Sequence, residues 1–531
     1  MSIQHITTAF SIKKVMIGAM TQQHALLFHH RNLGHGIFSG VAIASILFFF
    51  PAHHASSTTT ASAPVHQRWG TPETPFAADS LWNSRPVDPQ FHDFQIPPAD
   101  YYPSVAQGKW STGVFLATPS DPPMTIHGLP GHEGVWDPDA EASRTVTLPH
   151  WPHDVTPASG TDGHADIIDL DRNMIHSFWQ LRQANGKWFA AQYSWTRLNG
   201  RGWADPAHYF QGARAAAVPT LAGLIRKHEV ADGQPIYRHV LAMSLTFNAL
   251  EASPGYIFPA TSTDTDAAKR NTGRIPLGAL LMLPPTFDTS RLKDPSLRRV
   301  AETLKVYGAY VVDANHGTPF QIYVENGADF DLHKDGWNAI AAADLQEIRR
   351  SLRQVSTTRG WIDGNNKRFY PTSNLNRLSM RGPWRLLQGN EVGQFDSWRQ
   401  AVLFPASVNR IVQMNDSSRS IRPVFWAKLI PGRMYKLTAH ATGGATLRLQ
   451  LHDKKSGRRV FDSGELKTGK SCIFAWPTVD SGVTVQVSSG IGQASSVQGS
   501  LVEHSAHKTK TVNTKSRTAL PEHRSAASAS N

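Results

Sequence analysis

Apolar and polar residues alternate in three runs inside Asp162–Thr196 (DGHADIIDLDRNMIHSFWQLRQANGKWFAAQYSWT): His164–Leu170, Met174–Leu181 and Trp188–Trp195. A DRN turn and an ANGK turn separate the runs, so the pattern predicts an antiparallel meander. Side chains alternate across a strand, which puts His164 and Asp166 on one face of the first run. Downstream, Arg238–Phe247, Tyr256–Ala260, Leu277–Leu283 and Ala309–Val312 are short apolar runs bounded by Gly, Pro or Asp, and they predict buried strands. Helical spacing is confined to Pro295–Tyr307 and Trp337–Val355, the latter with Ile340, Leu345, Ile348 and Leu352 on one face. Upstream, Thr71–Pro149 is dense in Pro and Gly and predicts irregular loops with short strands such as Gly113–Ala117.

After residue 382 the rhythm changes to short alternating runs: Ala427–Ile430, Met434–Ala441, Ala445–His452, Arg459–Phe461, Cys472–Ala475, Val483–Ser488 and Val497–Val502. Turn clusters PGR, ATGG, KKSG and DSG punctuate them, as in a small β-sandwich. The expected class is therefore mainly β. A β-sandwich or jelly-roll-like main domain with a few helices spans residues 64–356, a polar connector 357–382, and a smaller C-terminal β-sandwich 383–502. No internal repeat makes one β region a copy of the other.

The ends read differently. Gly36–Phe50 is a 15-residue apolar run behind Arg31, Lys13 and Lys14, shorter than the ~20 residues of a bilayer span and suited to a signal-peptide core. Small residues at Ala55–Ser57 and Ala61–Ala63 offer cleavage sites, so residues 1–63 are expected to be signal and linker; an uncleaved anchor is the competing reading. The folded part then begins near Trp69, outside the cytoplasm, with no stable membrane span after cleavage. Residues 503–531 lack apolar periodicity and predict a disordered basic tail.

Composition narrows the functional classes. With 40% hydrophobic and 18% charged residues in 531, a sizeable core is affordable. The single cysteine, Cys472, excludes an intramolecular disulfide and paired-cysteine zinc sites. The net charge of +12 favours anionic partners, an acidic polysaccharide among them, yet it is scattered, and no stacking motif of an RNA-binding kind accompanies it, so nucleic acid is not expected. No GxSxG, HExxH, P-loop or dinucleotide fingerprint is present, and no cofactor is expected.

One resemblance rests on blocks whose order and spacing recur: FAADSLWNSRP, GHADIIDLD, VPTLAGLIRKHEV followed by RHVL, FPATSTD, IPLGALLML, and YGAYVVDANHG followed by IYVENG. Over about residues 76–327 the chain resembles a family of uncharacterised secreted bacterial proteins common in actinomycetes. The resemblance implies a secreted β-rich domain and assigns no activity.

Nine of the 15 tryptophans lie between Trp69 and Trp203, and indole offers a flat apolar face plus an N–H donor to a sugar ring. Trp82, Trp179, Trp195 and Trp203, with Arg238, are the candidate substrate-binding residues; the plainer reading places most of them in the core. His164 and Asp166 could act as a proton-transfer pair, with Glu229, His239, Asp264 and Asp313 as further catalytic candidates, and Asp266 and His316 also carry ionisable groups near the expected strand ends. A metal reading would add His150, His153 and Asp154, and a structural role competes with both. DLDRN fails the EF-hand template at Met174 and Gln180 and reads as a hairpin turn. Together these features point to a secreted or periplasmic carbohydrate-active protein acting as a glycoside hydrolase or polysaccharide lyase. The alternative is a non-catalytic polysaccharide-binding or envelope protein.

Overall fold

The seven-stranded sheet at the centre of the main domain owes its middle to two strands that are apolar along nearly their whole length. Leu241–Thr246 is buried at every position and pairs in parallel with Ala309–Asn315, as expected of strands covered on both faces. The order across the sheet is Gln90–Phe91, Arg353–Thr357, Leu280–Met282, Ala309–Asn315, Leu241–Thr246, Phe320–Tyr323 and Ser104–Ala106. In this computed structural model the described residues are 68–205, 208–373, 375–415 and 424–504. The expected signal segment and basic tail lie outside them, apart from Glu503 and His504 at the edge of the tail.

Two helices cover this sheet. Asp294 caps Pro295–Val306 by accepting from Leu297 N, with Pro at the first helical position, and Leu297, Val300, Ala301 and Leu304 face the core. Asn338 caps Ala339–Ser351 through Ile340 N and Ala341 N. That second helix is shorter than its periodicity suggested: the chain turns into the strand Arg353–Thr357, Leu345 and Ile348 are buried on the helix, and Ile340 stays 52% exposed at its open end.

The meander forms the middle of a six-stranded sheet ordered Gly113–Ala117, Ala165–Asp169, Met174–Trp179, Gln192–Arg197, Val135–Asp137 and Ala142–Arg144. Its first two strands pair antiparallel as expected, with Ser177 opposite Asp166. The third run divides. Lys187–Ala190 joins a four-stranded sheet with Arg182–Ala184, Met124–Gly128 and Val146–Leu148, and Gln192–Arg197 pairs with Met174–Trp179. The six-stranded sheet is thus buried twice. Ala165, Ile167, Met174 and Phe178 pack with Ile126, Leu148 and Trp188, whereas Ile168 and Ile175 join the core of the seven-stranded sheet. A face that alternation marks as polar is here covered by another layer.

The C-terminal β-sandwich consists of two five-stranded sheets closing on Leu437, Leu447, Leu449, Val485, Val487 and Leu501. Six of the expected strands are present, and Trp384–Gln388, Gln394–Asp396, Ala401–Phe404 and Val412–Asn415 complete the sheets. Ala427–Ile430 is a turn and loop, and Tyr256–Ala260 makes only a bridge from Tyr256 to Leu277. The polar stretch after Thr357 is more than a tether. Trp361–Ile362 and Arg368–Phe369 form a small sheet with Arg85–Pro86, while Leu375, Leu378 and Met380 are buried. The fold is mainly β throughout, and the described residues belong to one compact unit.

Candidate functional site

The first expected centre is closed. His164 and Asp166 are 2% and 0% exposed. His164 Nδ1 lies 3.3 Å from Phe178 O, and burial holds the imidazole well below its ordinary value. Asp166 Oδ2 accepts from Leu221 N at 2.6 Å; burial pushes its carboxyl up to about 6 against the pull of Thr220, Leu221 and Ser177. Each is thus held by the main chain around it, and neither faces a groove. Asp166 instead anchors the loop that follows Gly212.

That loop delivers the charge around which a second group assembles. Gly212 packs so tightly that a Cβ there would sit 1.9 Å from Pro219 N, which folds GARAAAVP back on itself. Ala216 N donates to Val312 O at 3.0 Å, and Arg214 N to Val218 O at 3.1 Å. Arg214 is thereby set, 2% exposed, beside the end of Ala309–Asn315. Its Nη1 donates to Asp313 Oδ2 at 3.3 Å and to Trp110 O at 3.2 Å, and its guanidinium lies 3.9 Å above the Tyr323 ring. Nη2 is buried without a hydrogen-bond partner among the described residues. Buried cations are rarely left in this state without a reason.

Asp313 reaches this place through a bulge. Met243 stands opposite Val311 but Ser244 opposite Asp313, so Val312 is extra and shifts the alternation by one residue. Burial first, and then the charges of Asp264 and Asp162, push the Asp313 carboxyl up to about 7 against the pull of Arg214. Asp264 is clamped by Arg270 at 2.6 Å, and Arg270 also reaches Asp266 at 3.1 Å. Asp162 accepts from Trp179 Nε1 at 3.1 Å. Arg270 lies 4.2 Å over Phe247, whose ring meets the exposed His316 edge-on at 4.7 Å. The group gathers at the carboxyl ends of the two central parallel strands, where open α/β sheets place ligands.

The remaining candidates go elsewhere. Glu229 and His239 form their own pair at 3.2 Å: against the cost of burial, His239 lowers the carboxyl and Glu229 raises the imidazole. Arg238 is exposed and bonded to Gln234. Trp82 and Trp203 stack on each other at 5.0 Å inside the core, and Trp195 lies over His208 at 4.3 Å with 6% of its surface exposed. These three offer no face to a sugar, because the layers above and below need their bulk. Trp179 alone of the four is half-buried and touches the Asp313 group, through Asp162. His150, which the metal reading required beside His164, donates to Asp169 at 3.0 Å instead. Among the described residues no three His, Cys, Asp or Glu side chains come together to hold a metal.

Arg214, Asp162 and Tyr323 escaped the sequence reading. Arg214 had a signal, since a cation inside the apolar run GARAAAVPTLAG must find a buried partner. Two depressions exist away from this group. One of about 20 Å³ is lined by Asp139, Tyr209, Arg381, Gln400 and Gln498, and an open one of about 490 Å³ by Asp88, Gln90, Thr357, Thr358 and Arg359.

No protein-family model matches the chain, and no curated protein does. Solved structures match only in part. An accessory secretory protein complex of Streptococcus pneumoniae is 14% identical over 20% of this chain and 80% of its own, with a TM-score of 0.15. TmCBM61 in complex with β-1,4-galactotriose is 16% identical over 24% of this chain and 99% of its own, at 0.17. A Streptococcus pneumoniae fucose binding module is 11% identical over 26% and 100%, at 0.16. Similarity at this level carries no functional argument.

Among the described residues no helix is long and apolar enough to cross a membrane.

Proposed function

We propose that the protein is an extracellular carbohydrate-active enzyme that cleaves glycosidic bonds, with Asp313 as its general acid. One observation carries the reading: a carboxyl held protonated up to about 7 beside two further carboxylates, Asp264 and Asp162. Glycoside hydrolysis needs that division of labour, one carboxylic acid to protonate the leaving oxygen and one carboxylate to act on the other side of the sugar. Arg270, 2.6 Å from Asp264, fixes that carboxyl in place for the second role. Uronate elimination fits less well, because burial pushes the Tyr323 hydroxyl, which would have to act as the base, further up. Secretion is supported by the apolar run 36–50.

The test is the release of new reducing ends from a panel of neutral and acidic polysaccharides. Asp313→Asn and Asp264→Asn are each expected to lower the rate by at least ~100-fold, the scale of acid–base catalysis. Since the acid must carry its proton, activity should fall as pH rises through about 7. The second reading, a non-catalytic polysaccharide-binding protein, draws support from exposed aromatic side chains, with Trp110 at 45% and Trp337 at 63%. Binding of a polysaccharide with no product from any member of the panel would decide for it.

A further inference from the structure

An aromatic group on the surface is used by none of the contacts above. Trp337 is 63% exposed and Tyr102 52%. The indole lies parallel to the His333 ring at 5.1 Å with 8° between the planes, and Tyr102 meets the indole edge-on at 4.9 Å. This arrangement is held in place. His333 Nδ1 accepts from Asn338 N at 3.1 Å, Asp331 accepts from His333 N at 2.8 Å, and Asn338 donates to Leu332 O at 3.1 Å while capping the helix behind it. A large apolar ring kept rigid in water is costly to leave uncovered, and it loses little entropy on binding.

Its surroundings select the occupant. Asp331, which accepts from His333 N, is exposed, as are Asp100, two residues before Tyr102, and Asp329 and Asp335, which flank His333 in sequence together with Lys334. An acidic rim repels uronates, nucleic acids and anionic lipid, although the chain as a whole carries a net charge of +12. A pair of rings is also far smaller than the ~1,200 Å² that a stable protein interface buries. A pyranose matches it, since its CH-rich face covers an indole and its edge hydroxyls suit carboxylates.

A chain of contacts leads from this group toward the proposed centre. Tyr101, 66% exposed, donates its backbone N–H to Gly317 O at 2.8 Å. Gly317 follows His316, which packs on Phe247 beneath Arg270, the partner of Asp264.

We propose that Tyr102, His333 and Trp337 form a stacking subsite for an uncharged pyranose of an extended glycan whose chain runs past Tyr101 and His316 toward Asp313. The ligand class rests on the carbohydrate reading above, and it narrows the substrate to neutral polymers. The test is affinity electrophoresis of the full chain in gels containing hydroxyethyl cellulose, galactan or polygalacturonate. Retardation by at least one neutral polymer and none by polygalacturonate is expected. Trp337→Ala should weaken that retention at least tenfold, and Trp337→Phe, which keeps a flat ring, should restore most of it at an unchanged melting temperature. Equal retention of Trp337→Ala and wild type overturns the subsite, as does retention by polygalacturonate alone or by no polymer. Failure of the catalytic reading is separate: a wild-type protein that is retarded yet releases no reducing ends removes the enzyme and leaves the subsite standing.

Discussion

Asp166 and Asp313 are both acidic residues on central strands, and their surroundings give them different tasks. Asp166 is served by the Leu221 N–H and by the hydroxyls of Thr220 and Ser177, so its proton-binding strength is an outcome of structural service. Asp313 has one cation and two like charges as neighbours, and its carboxyl is raised from its ordinary value of 3.8 to about 7. The sign for stability follows from linkage. Folded Asp313 keeps its proton to higher pH than the unfolded chain does, so its contribution is complete below about 3.8 and is lost as pH rises through about 7. Asp313→Asn removes this dependence. Relative to wild type, the variant should gain stability between pH 5 and pH 8, on the order of 2 kcal/mol given ~1.4 kcal/mol for each unit of displacement. Urea midpoints of both proteins at the two pH values check this; a constant difference between them would refute the raised carboxyl.

At the scale of elements, the loop that carries Arg214 is held by a glycine chosen for space rather than for backbone freedom. A Cβ at Gly212 would lie 1.9 Å from Pro219 N, and main chain cannot swing aside as a flexible side chain can. Gly212→Ala is therefore expected to cost ~3 kcal/mol or more, the upper range of overpacking, and to lower activity with it by moving Arg214. Thermal unfolding and reducing-end assays on the same variant measure both. The helix Pro295–Val306 offers a milder case. Its cap Asp294 accepts from Leu297 N at 3.1 Å, and Asp344 in turn accepts from Lys293 N and Asp294 N, each at 2.8 Å. Asp294→Ala should cost about 1 kcal/mol, the usual worth of such a cap, read as a shifted denaturant midpoint with unchanged slope.

At the scale of the molecule, the C-terminal sandwich is bonded to the main domain by its own side chains. Asp137, buried in the main domain, holds Arg144 at 2.8 Å and accepts from Ser397 at 2.6 Å. Trp426 Nε1 donates to Ala260 O at 2.7 Å, and its ring meets Phe258 edge-on at 5.0 Å. The connector ties both parts: Arg381 donates to Pro138 O of the main domain at 3.0 Å, and Asn376 accepts from Leu501 N of the sandwich at 2.8 Å. Bonds of this density couple the two parts into one cooperative transition. Asp137→Ala should cost ~2–3 kcal/mol, less than a fully buried pair because the Arg144 side chain is 36% exposed. It should also split a single calorimetric peak into two. A wild-type protein that already melts in two steps would show that the interface is weak.

Local periodicity was enough to identify the mainly β class, both long helices, the first hairpin of the meander and six strands of the C-terminal sandwich, because strand and helix spacing are properties of neighbouring residues. It also marked Asp264 and Asp313 as candidates, though among others that the fold sends elsewhere. What it missed depended on distance. Arg214 and Asp313 meet across 99 positions of sequence, and Gly212 makes its contact only once the loop has closed. Alternation showed that the His164–Asp166 face was polar, but a third layer decided that this face would be buried. The same layers took Trp82, Trp195 and Trp203 into the core and left Trp337, placed at a helix entrance, in water. Sequence by itself determined which elements form, through the side chains each strand or helix must bury. Tertiary structure alone decided which charges face one another and which rings stay open, because pKa and exposure are set by neighbours the chain brings together only on folding.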